Sequence, residues 1–244
     1  MQNSHGFRGP EPANNGKPRV IFLGDSLVWG YGVEAAERFT EKLQADHPKW
    51  DIQNLGVNGY GTDQEYILLQ REFDAYRPRM VFLVICGDDD NEDNSRNFRG
   101  GYYKPYFTLD GGRLTINGVP VPRSERSFFA DHPTLCGSYL VRLVAQCYYG
   151  MLSPNSSKNP EPPTGALLLD MSKYVASKGA RFSVGLQHSN RDLEAFLQKF
   201  KIPYVELETT NPAFVHKELG NHWTPAGHAF VAGKIGAFLE AQAK

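Results

Sequence analysis

Buried-strand runs alternate with helix-like segments along most of this sequence, and this alternation is the feature that most restricts its fold. Buried-strand signals predict strands at 19–24, 51–55, 80–86, 181–186 and 203–207. Segments of helical periodicity between and after them predict helices near 34–46, 63–76, 136–149, 164–178, 190–200 and 225–241. Strand-then-helix repetition is typical of a parallel sheet covered by helices on both faces, so we expect an α/β fold.

The length and the charge of the chain limit the classes of protein to which it can belong. Its 244 residues suit one α/β domain with an insertion. The formal net charge is −1, without a basic run or stripe. This argues against a nucleic-acid-binding protein, which needs positive charge to neutralise phosphates. No apolar segment approaches the roughly 20 residues that span a bilayer. We therefore expect neither a nucleic-acid partner nor a membrane span in this chain.

Residues 1–18 differ in composition from the rest and are rich in Asn, Gly and Pro. This composition predicts a disordered leader, followed by one domain over residues 19–244. The leader lacks the charged start and apolar centre of a secretion signal. A cytosolic protein and a trimmed extracytoplasmic domain both fit this pattern, so the sequence leaves the compartment undetermined.

The alternation of strands and helices is interrupted at 95–134. Asp110-Gly111-Gly112 and Asn117-Gly118 are strong turn signals between short extended runs, and they predict an inserted loop with a β-hairpin. An insertion after the third strand is expected to overhang the carboxyl edge of the sheet. It could supply substrate contacts there, or it could be a packed lid without a ligand role.

Candidate reactive groups follow three successive strands of the predicted sheet. Ser26 follows the first strand, the glycine-rich run 54–63 follows the second, and the acidic run 87–90 follows the third. The carboxyl ends of parallel strands meet at one sheet edge, so these groups are expected to converge. His222 lies near the other end of the chain, just before Pro225, which suits the first turn of a helix. Because an imidazole can activate a serine hydroxyl, the pattern predicts a nucleophile and its base.

Four short blocks in this order and spacing resemble the signature of the SGNH hydrolases, also called GDSL esterases and lipases. They are Gly-Asp-Ser-Leu at 24–27, Asn-Gly at 58–59, Gly-Asp-Asp-Asp at 87–90 and His-Trp-Thr-Pro at 222–225. The resemblance runs from Arg19 to the terminal helix and implies a flavodoxin-like three-layer α/β/α sandwich. It also implies that Ser26 is the nucleophile and His222 the base. The backbone N–H groups of Ser26 and Gly59 would bind the developing oxyanion.

Other histidines compete with His222 for the role of base. His188 follows the fourth predicted strand and is the only rival near the same sheet edge, but it lacks the following Trp-Thr-Pro. His228 falls on the predicted last helix, and the remaining candidates fall in loops or at helix ends. We therefore expect His222 to be the base.

The third block departs from the family pattern. It normally reads Gly-x-Asn-Asp, with the Asn side chain donating a hydrogen bond to the oxyanion, whereas this chain has Asp89 at that place. An ionised carboxylate has no proton to donate and would repel the developing charge. A buried and protonated Asp89 could still donate, and crowding by Asp88 and Asp90 would favour that form.

The acid that orients the histidine also departs from the family pattern. In the family it precedes the histidine by two or three positions, which here hold Gly220 and Leu219. Glu218, one residue further back, is the nearest carboxylate and is a possible orienting acid. Otherwise His222 works in a dyad and is oriented by a backbone carbonyl.

No motif of the sequence implies a cofactor or a metal. Asp89, Asn91 and Asp93 have the alternating spacing of a calcium loop, but the turn glycine and the distal glutamate of such a loop are missing. A solvated loop or a helix start fits the acidic run better. The glycine-rich runs also lack the spacing that cradles phosphates.

Together these patterns predict a serine esterase that acts through an acyl-Ser26 intermediate. The family's range and the tyrosines of the insertion favour a small-molecule or carbohydrate substrate carrying a short acyl ester, such as acetyl. Those tyrosines could stack on sugar rings, or they could simply pack. Transfer of the acyl group to a sugar hydroxyl is a chemical alternative. A catalytically weak or silent carbohydrate-binding protein is the alternative from another class, because fold does not settle function.

Overall fold

A computed structural model describes residues 2–152 and 161–243, except the side chains of Asp88, Asp89, Leu152 and Ala243. Its strands, in chain order, are β1 (Arg19–Leu23), β2 (Asp51–Asn54), β3 (Met80–Ile85), β4 (Phe98–Arg99), β5 (Tyr102–Tyr103), β6 (Tyr106–Asp110), β7 (Arg113–Asn117), β8 (Arg181–Leu186), β9 (Tyr204–Glu206), β10 (Val215–His216) and β11 (His222–Trp223).

Most of the helices lie between these strands, and several follow an Asp, Ser or Asn residue that caps the helix start. They are α1 (Ser26–Trp29), α2 (Phe39–Asp46), α3 (Thr62–Tyr76), α4 (Gly87–Asn94), α5 (Glu125–Asp131), α6 (Tyr139–Leu152), α7 (Thr164–Ser177), α8 (Arg191–Lys199) and α9 (Pro225–Ala243). Short 3₁₀ turns lie at Ala35–Glu37, Leu135–Gly137, Pro212–Phe214 and Lys217–Leu219. Within the described ranges, none of the helices is both long and apolar enough to cross a membrane.

Five strands form a parallel sheet in the order β2-β1-β3-β8-β9. This order places β1 beside both β2 and β3, so the chain segments that follow these three strands emerge side by side at one edge. The five strands lie within two residues of the positions that the sequence predicts. The predicted α/β fold with a central parallel sheet is confirmed.

Two apolar layers cover the two faces of the sheet, as the alternation of side chains along each strand requires. On one face, Ile21 and Leu83 pack with side chains of α3 and α7, including Leu69. On the other face, Phe22 and Phe82 pack with side chains of α2 and α9. The sheet is therefore the middle layer of a three-layer sandwich, and the loops at its carboxyl edge are left to form a site.

The first residues pack against the domain, which differs from the disordered leader that the sequence predicts. Phe7 is 4% exposed and its ring lies edge-on to Tyr76 at 6.2 Å. The Arg8 guanidinium donates hydrogen bonds to the carbonyls of Gly30 and Val33 at 2.9 and 3.0 Å. Composition alone does not predict this packing, because it depends on two side chains only, the buried ring of Phe7 and the guanidinium of Arg8.

The insertion at 95–134 contains two small antiparallel strand pairs and one α-helix. Strands β6 and β7 form the predicted hairpin, with Asp110 opposite Arg113 across a turn at Gly111 and Gly112. The second turn signal, Asn117-Gly118, ends β7 instead of starting another hairpin. Strands β4 and β5 pair just before the β6–β7 hairpin, and α5 follows it. Helix α6 begins beyond the insertion, at Tyr139.

Candidate active site

Ser26 is the first residue of α1, directly beyond the carboxyl end of β1. Gly24 makes the sharp turn between them with φ +155°, and a Cβ there would lie 2.3 Å from the Val28 side chain. The Asp25 carboxylate then accepts a hydrogen bond from the Leu27 N–H at 2.9 Å and caps the helix. This turn presents the Ser26 hydroxyl at the edge of the sheet.

His222 lies on β11, which pairs with β10 in a small antiparallel hairpin. Gly220 and Asn221 make the turn in the left-handed conformation, at φ +69° and +61°. The next residue, Trp223, is 2% exposed within the core. After it, the Thr224 hydroxyl accepts from the Gly227 N–H at 3.1 Å and caps α9. The histidine is thus held between a tight turn and a buried anchor.

The structure brings Ser26 and His222 together across 196 positions of sequence. The distance between Ser26 Oγ and His222 Nε2 is 2.7 Å. On the other side of the ring, Nδ1 contacts the carbonyl oxygen of Leu219, which can only accept. Nδ1 therefore carries the proton in the neutral ring, and Nε2 is left to accept the hydrogen bond from the serine hydroxyl.

Glu218, the possible orienting acid, is placed elsewhere. Its side chain is 73% exposed, and its carboxylate lies 3.3 Å from Nδ1 of His216. The short 3₁₀ turn at Lys217–Leu219 directs the Leu219 carbonyl toward His222 instead. The ring of His222 is therefore oriented by a main-chain carbonyl, which is the dyad arrangement that the sequence left open.

Tyr31 contacts His222 and is a site residue that sequence reasoning missed. The two ring centroids are 5.0 Å apart. Gly30 and Gly32 flank the tyrosine with φ +81° and +85°, and this turn carries it toward the histidine. Tyr31 is 41% exposed, so its ring forms part of the wall of the open site. The only signal in the sequence was a pair of glycines that matched no phosphate-binding pattern.

The loop after β2 approaches α1 closely and carries Gly59. The Asn54 side chain donates to the Val28 carbonyl at 2.6 Å and accepts from the Gly56 N–H at 3.0 Å. A Cβ at Gly56 would lie 2.5 Å from the Trp29 nitrogen, so only glycine fits there. Gly59 has φ +82°, and a Cβ there would meet no atom within 4 Å. Its backbone therefore borders open space.

Asp89 lies on α4, which begins directly after β3, but its side chain is outside the described part of the structure. The next residue, Asp90, is 4% exposed. Its carboxyl accepts from the N–H and the hydroxyl of Thr62, both at 3.1 Å, and from the Cys86 N–H at 2.6 Å. Burial, together with the neighbouring Asp25, raises the pKa of Asp90 to about 7.

Glu65 on α3 is a second buried carboxyl behind the nucleophile. It is 1% exposed, and neither of its oxygens has a hydrogen-bond partner among the described residues. Burial, reinforced by the acidic side chains Asp90, Asp25 and Asp63, raises the pKa of Glu65 well above its ordinary value. Burial among other acidic side chains therefore favours the protonated form of Glu65. Sequence reasoning missed it, because its helical position gave no sign of burial beside other acids.

A buried ion pair joins the insertion to the start of α3. The Lys104 ammonium, 5% exposed, contacts the Asp63 carboxylate, which is fully buried. In the same region the Arg99 guanidinium contacts the buried carboxylate of Asp93. These two pairs connect the segment around the β4–β5 hairpin to the first turn of α3 and to α4. Sequence reasoning missed both pairs, since their partners lie far apart in sequence or in a run that resembled a solvated loop.

Of the rival histidines, His216 pairs with His222 across the β10–β11 hairpin, and among the described residues neither His228 nor His188 contacts the Ser26 hydroxyl. His228 is 1% exposed, and its Nδ1 accepts the Phe39 N–H at 3.2 Å. Burial, with Arg38 as the next cause, lowers the pKa of His228 to about 3. His188 is exposed after β8. Among the described residues no group of three or more His, Cys, Asp or Glu side chains is arranged to hold a metal ion.

Comparison with known proteins finds similarity at the level of structure. No protein-family profile and no curated sequence matches the chain. A member of the lipolytic protein G-D-S-L family from Veillonella parvula is 15% identical with a TM-score of 0.51, covering 93% of this chain and 98% of that one. A psychrotrophic esterase from Pseudoalteromonas sp. is 10% identical with a TM-score of 0.54, covering 93% and 99%. A two-domain esterase active on acetylated mannans is 12% identical with a TM-score of 0.52, covering 92% and 49%. The chain therefore has the fold of the SGNH, or GDSL, hydrolases.

Proposed function

We propose that this chain is a serine esterase that removes short acyl groups through an acyl-Ser26 intermediate. The observation that carries the proposal is the 2.7 Å contact between Ser26 Oγ and His222 Nε2, made at the carboxyl edge of the sheet. A serine hydroxyl becomes nucleophilic when a positioned base takes its proton during attack. The esterases among the proteins of the same fold are consistent with this chemistry.

In the proposed mechanism, the Ser26 oxygen attacks the ester carbonyl while His222 Nε2 takes the hydroxyl proton. The negative charge that develops on the carbonyl oxygen is bound by the backbone N–H groups of Ser26 and Gly59. Collapse of the tetrahedral intermediate breaks the ester bond, and His222 returns the proton to the leaving alcohol. Water then attacks the carbonyl carbon of the acyl-Ser26 while His222 takes a proton from it. His222 returns this proton to the Ser26 oxygen as the acid leaves.

The Leu219 carbonyl performs one of the two functions of a triad carboxylate. It fixes the tautomer of His222, because the ring must donate from Nδ1 to reach it. It stabilises the positively charged ring less than an ionised carboxylate does. We therefore expect His222 to act as the base, but with less stabilisation of its positively charged form in the transition state than a carboxylate would give.

For the substrate, we propose acetyl or another short acyl group on a carbohydrate hydroxyl. Tyr102 and Tyr103 line a cleft beside Gly59, where their rings can stack on sugar faces. One protein of the same fold acts on acetylated mannans. This supports acetylated carbohydrates as the class of substrate, but we do not propose mannan itself. Transfer of the acyl group to another hydroxyl would use the same intermediate. A silent binding protein would be favoured only if Asp89 disables the oxyanion site.

The proposal is tested by hydrolysis of p-nitrophenyl acetate from about pH 5 to 9 by the wild type, Ser26→Ala and His222→Ala. His188→Ala is the matched control, because His188 follows a strand of the same sheet without contacting Ser26. We expect turnover to be lost in the first two variants and kept in the control. Turnover that survives Ser26→Ala would contradict the proposal.

A further inference from the structure

A cleft of about 520 Å³ opens beside Gly59, between the Gly59 loop and the insertion. Its walls are polar, aromatic and cationic: Asn58, Gly59, Tyr60, Gln64, Arg99, Gly100, Tyr102, Tyr103, Lys104 and Arg126. No acidic side chain is among these lining residues, whereas three of them are basic. A ligand bound here would lie next to the backbone that we assign to the oxyanion site.

Two of the three cations are already neutralised. Lys104 is paired with the buried Asp63, and Arg99 is paired with Asp93. These pairs build the wall of the cleft and leave little positive charge available to a ligand. The Lys104 pair fixes the insertion to the start of α3, and the Arg99 pair fixes it to α4.

Arg126 is the cation that remains. Among the residues that the structure describes, no carboxylate pairs with it. Its side chain lies across Gly101, where a Cβ would come within 2.3 Å of Arg126 Cδ and 2.7 Å of Nε. The exposed side chain therefore lies against the backbone of the β4–β5 turn, with its guanidinium at the cleft and without a carboxylate partner among the described residues. A guanidinium stays charged at all physiological pH values and matches the geometry of carboxylate and phosphate oxygens.

We propose that this cleft binds an anionic group, a carboxylate or a phosphate, carried by the ester substrate, with Arg126 as its main contact. The inference deepens the proposed esterase and rests on it. It narrows the substrate to an acylated acidic saccharide or sugar phosphate, with Tyr102 or Tyr103 against the sugar ring. Neutral esters of the same size lack the group that Arg126 is placed to bind.

The test compares three acetylated substrates: a neutral methyl glucoside, a glucuronate and a glucose 6-phosphate. For the wild type, kcat/KM is expected to be about 10- to 100-fold higher for at least one anionic ester than for the neutral one. The difference should lie in KM and should shrink between about 0.01 M and 1 M ionic strength. Preference for the glucuronate over the phosphate, or the reverse, identifies which anion the cleft binds.

Arg126→Gln is expected to remove most of this preference. Arg123→Gln is the matched control, because Arg123 lies in the same insertion, is paired with Asp131 and does not line the cleft. It should keep the full preference. Equal kcat/KM for neutral and anionic esters in the wild type, or a preference that Arg126→Gln leaves intact, would overturn the inference.

Calorimetry separates this inference from the proposed esterase. The full chain with Ser26→Ala is titrated with the same three esters, which it should not consume. Binding of an anionic ester that disappears on adding Arg126→Gln supports the cleft even if the wild type hydrolyses nothing. Hydrolysis of p-nitrophenyl acetate without any charge-dependent binding would leave the esterase standing and overturn the anionic substrate.

Discussion

His222 is oriented by the carbonyl oxygen of Leu219, which its Nδ1 contacts while Nε2 faces the serine hydroxyl. A main-chain carbonyl can be placed this accurately because the residues between it and the ring form one tight turn. The left-handed Gly220 and Asn221 close that turn. The tautomer of His222 is thus set by backbone conformation, and no carboxylate of the described residues contacts its Nδ1.

Glu218→Gln should therefore leave kcat nearly unchanged. Glu218 is 73% exposed and contacts His216, so removing its charge does not alter the hydrogen bonds of His222. If Glu218 oriented the catalytic histidine, the loss would approach about 10⁴-fold in kcat. Steady-state hydrolysis of p-nitrophenyl acetate distinguishes the two, and a loss of more than about 100-fold would contradict the backbone-carbonyl arrangement.

Asp89→Asn should increase esterase turnover at neutral pH. The sequence places Asp89 where the family has an asparagine that donates to the oxyanion, and one such donor is worth about 100- to 1,000-fold in kcat. An ionised carboxylate at that position cannot donate, whereas the amide can. Asp88→Asn is the matched control, because it removes the same charge one position earlier. An Asp89→Asn variant no faster than the wild type would mean a protonated Asp89 or an oxyanion site that does not use it.

Glu65→Gln should stabilise the protein at pH values above neutrality. The pKa of Glu65 is raised in the folded state, so between its unfolded value of 4.5 and its folded value the unfolded chain alone is ionised. The stability that Glu65 contributes is complete below about pH 4.5 and is lost as the pH rises through the folded pKa. A glutamine is neutral in both states, so it removes this loss.

Urea unfolding at several pH values checks the Glu65 prediction. The advantage of Glu65→Gln over the wild type should grow from about pH 5 to 8, while the exposed Glu161→Gln should show no such trend. The lowered pKa of His228 makes the stability of every variant fall as the pH drops. Comparing variants at the same pH cancels this effect and leaves the contribution of Glu65. A pH-independent difference would show that Glu65 is ionised in the folded protein.

Lys104→Met should destabilise the fold by about 3–5 kcal/mol, because it leaves the Asp63 carboxylate buried without its partner. Adding Asp63→Asn should recover much of this loss, since no buried charge then remains. Lys178→Met is the matched control: its pair with Asp74 is largely exposed, and the cost should stay below about 1 kcal/mol. Urea unfolding measures all three. A double variant less stable than Lys104→Met would contradict this account of the pair.

The sheet could be predicted from sequence because β1, β3 and β8 are short, largely apolar runs that alternate with helical segments. Even β9, which has only three residues, follows from the run at 203–207. The β6–β7 hairpin followed from Asp110-Gly111-Gly112 for the same local reason. Ser26 and His222 could be named because Ser26 follows a predicted strand, His222 precedes a predicted helix, and each lies in a block that resembles those of the SGNH hydrolases.

The features that sequence could not predict depend on contacts between distant segments. Lys104 and Asp63 are 41 positions apart, and nothing local shows that both are buried. Phe7 is one apolar residue in a polar segment, yet it packs on Tyr76. Helix α4 is formed by residues with little apolar character, and its acidic sequence resembled a loop as much as a helix start. Tertiary packing decided these features.

The central claim is that His222 activates Ser26, and labelling by a fluorophosphonate tests it most directly. Attack by the serine oxygen on phosphorus expels fluoride and adds the phosphonyl mass to one residue, which intact-mass measurement and peptide mapping locate. We expect the wild type to be labelled at Ser26, and His222→Ala to react at least about 1,000-fold more slowly. A wild type that is not labelled at Ser26, or labelling whose rate does not depend on His222, would contradict the account.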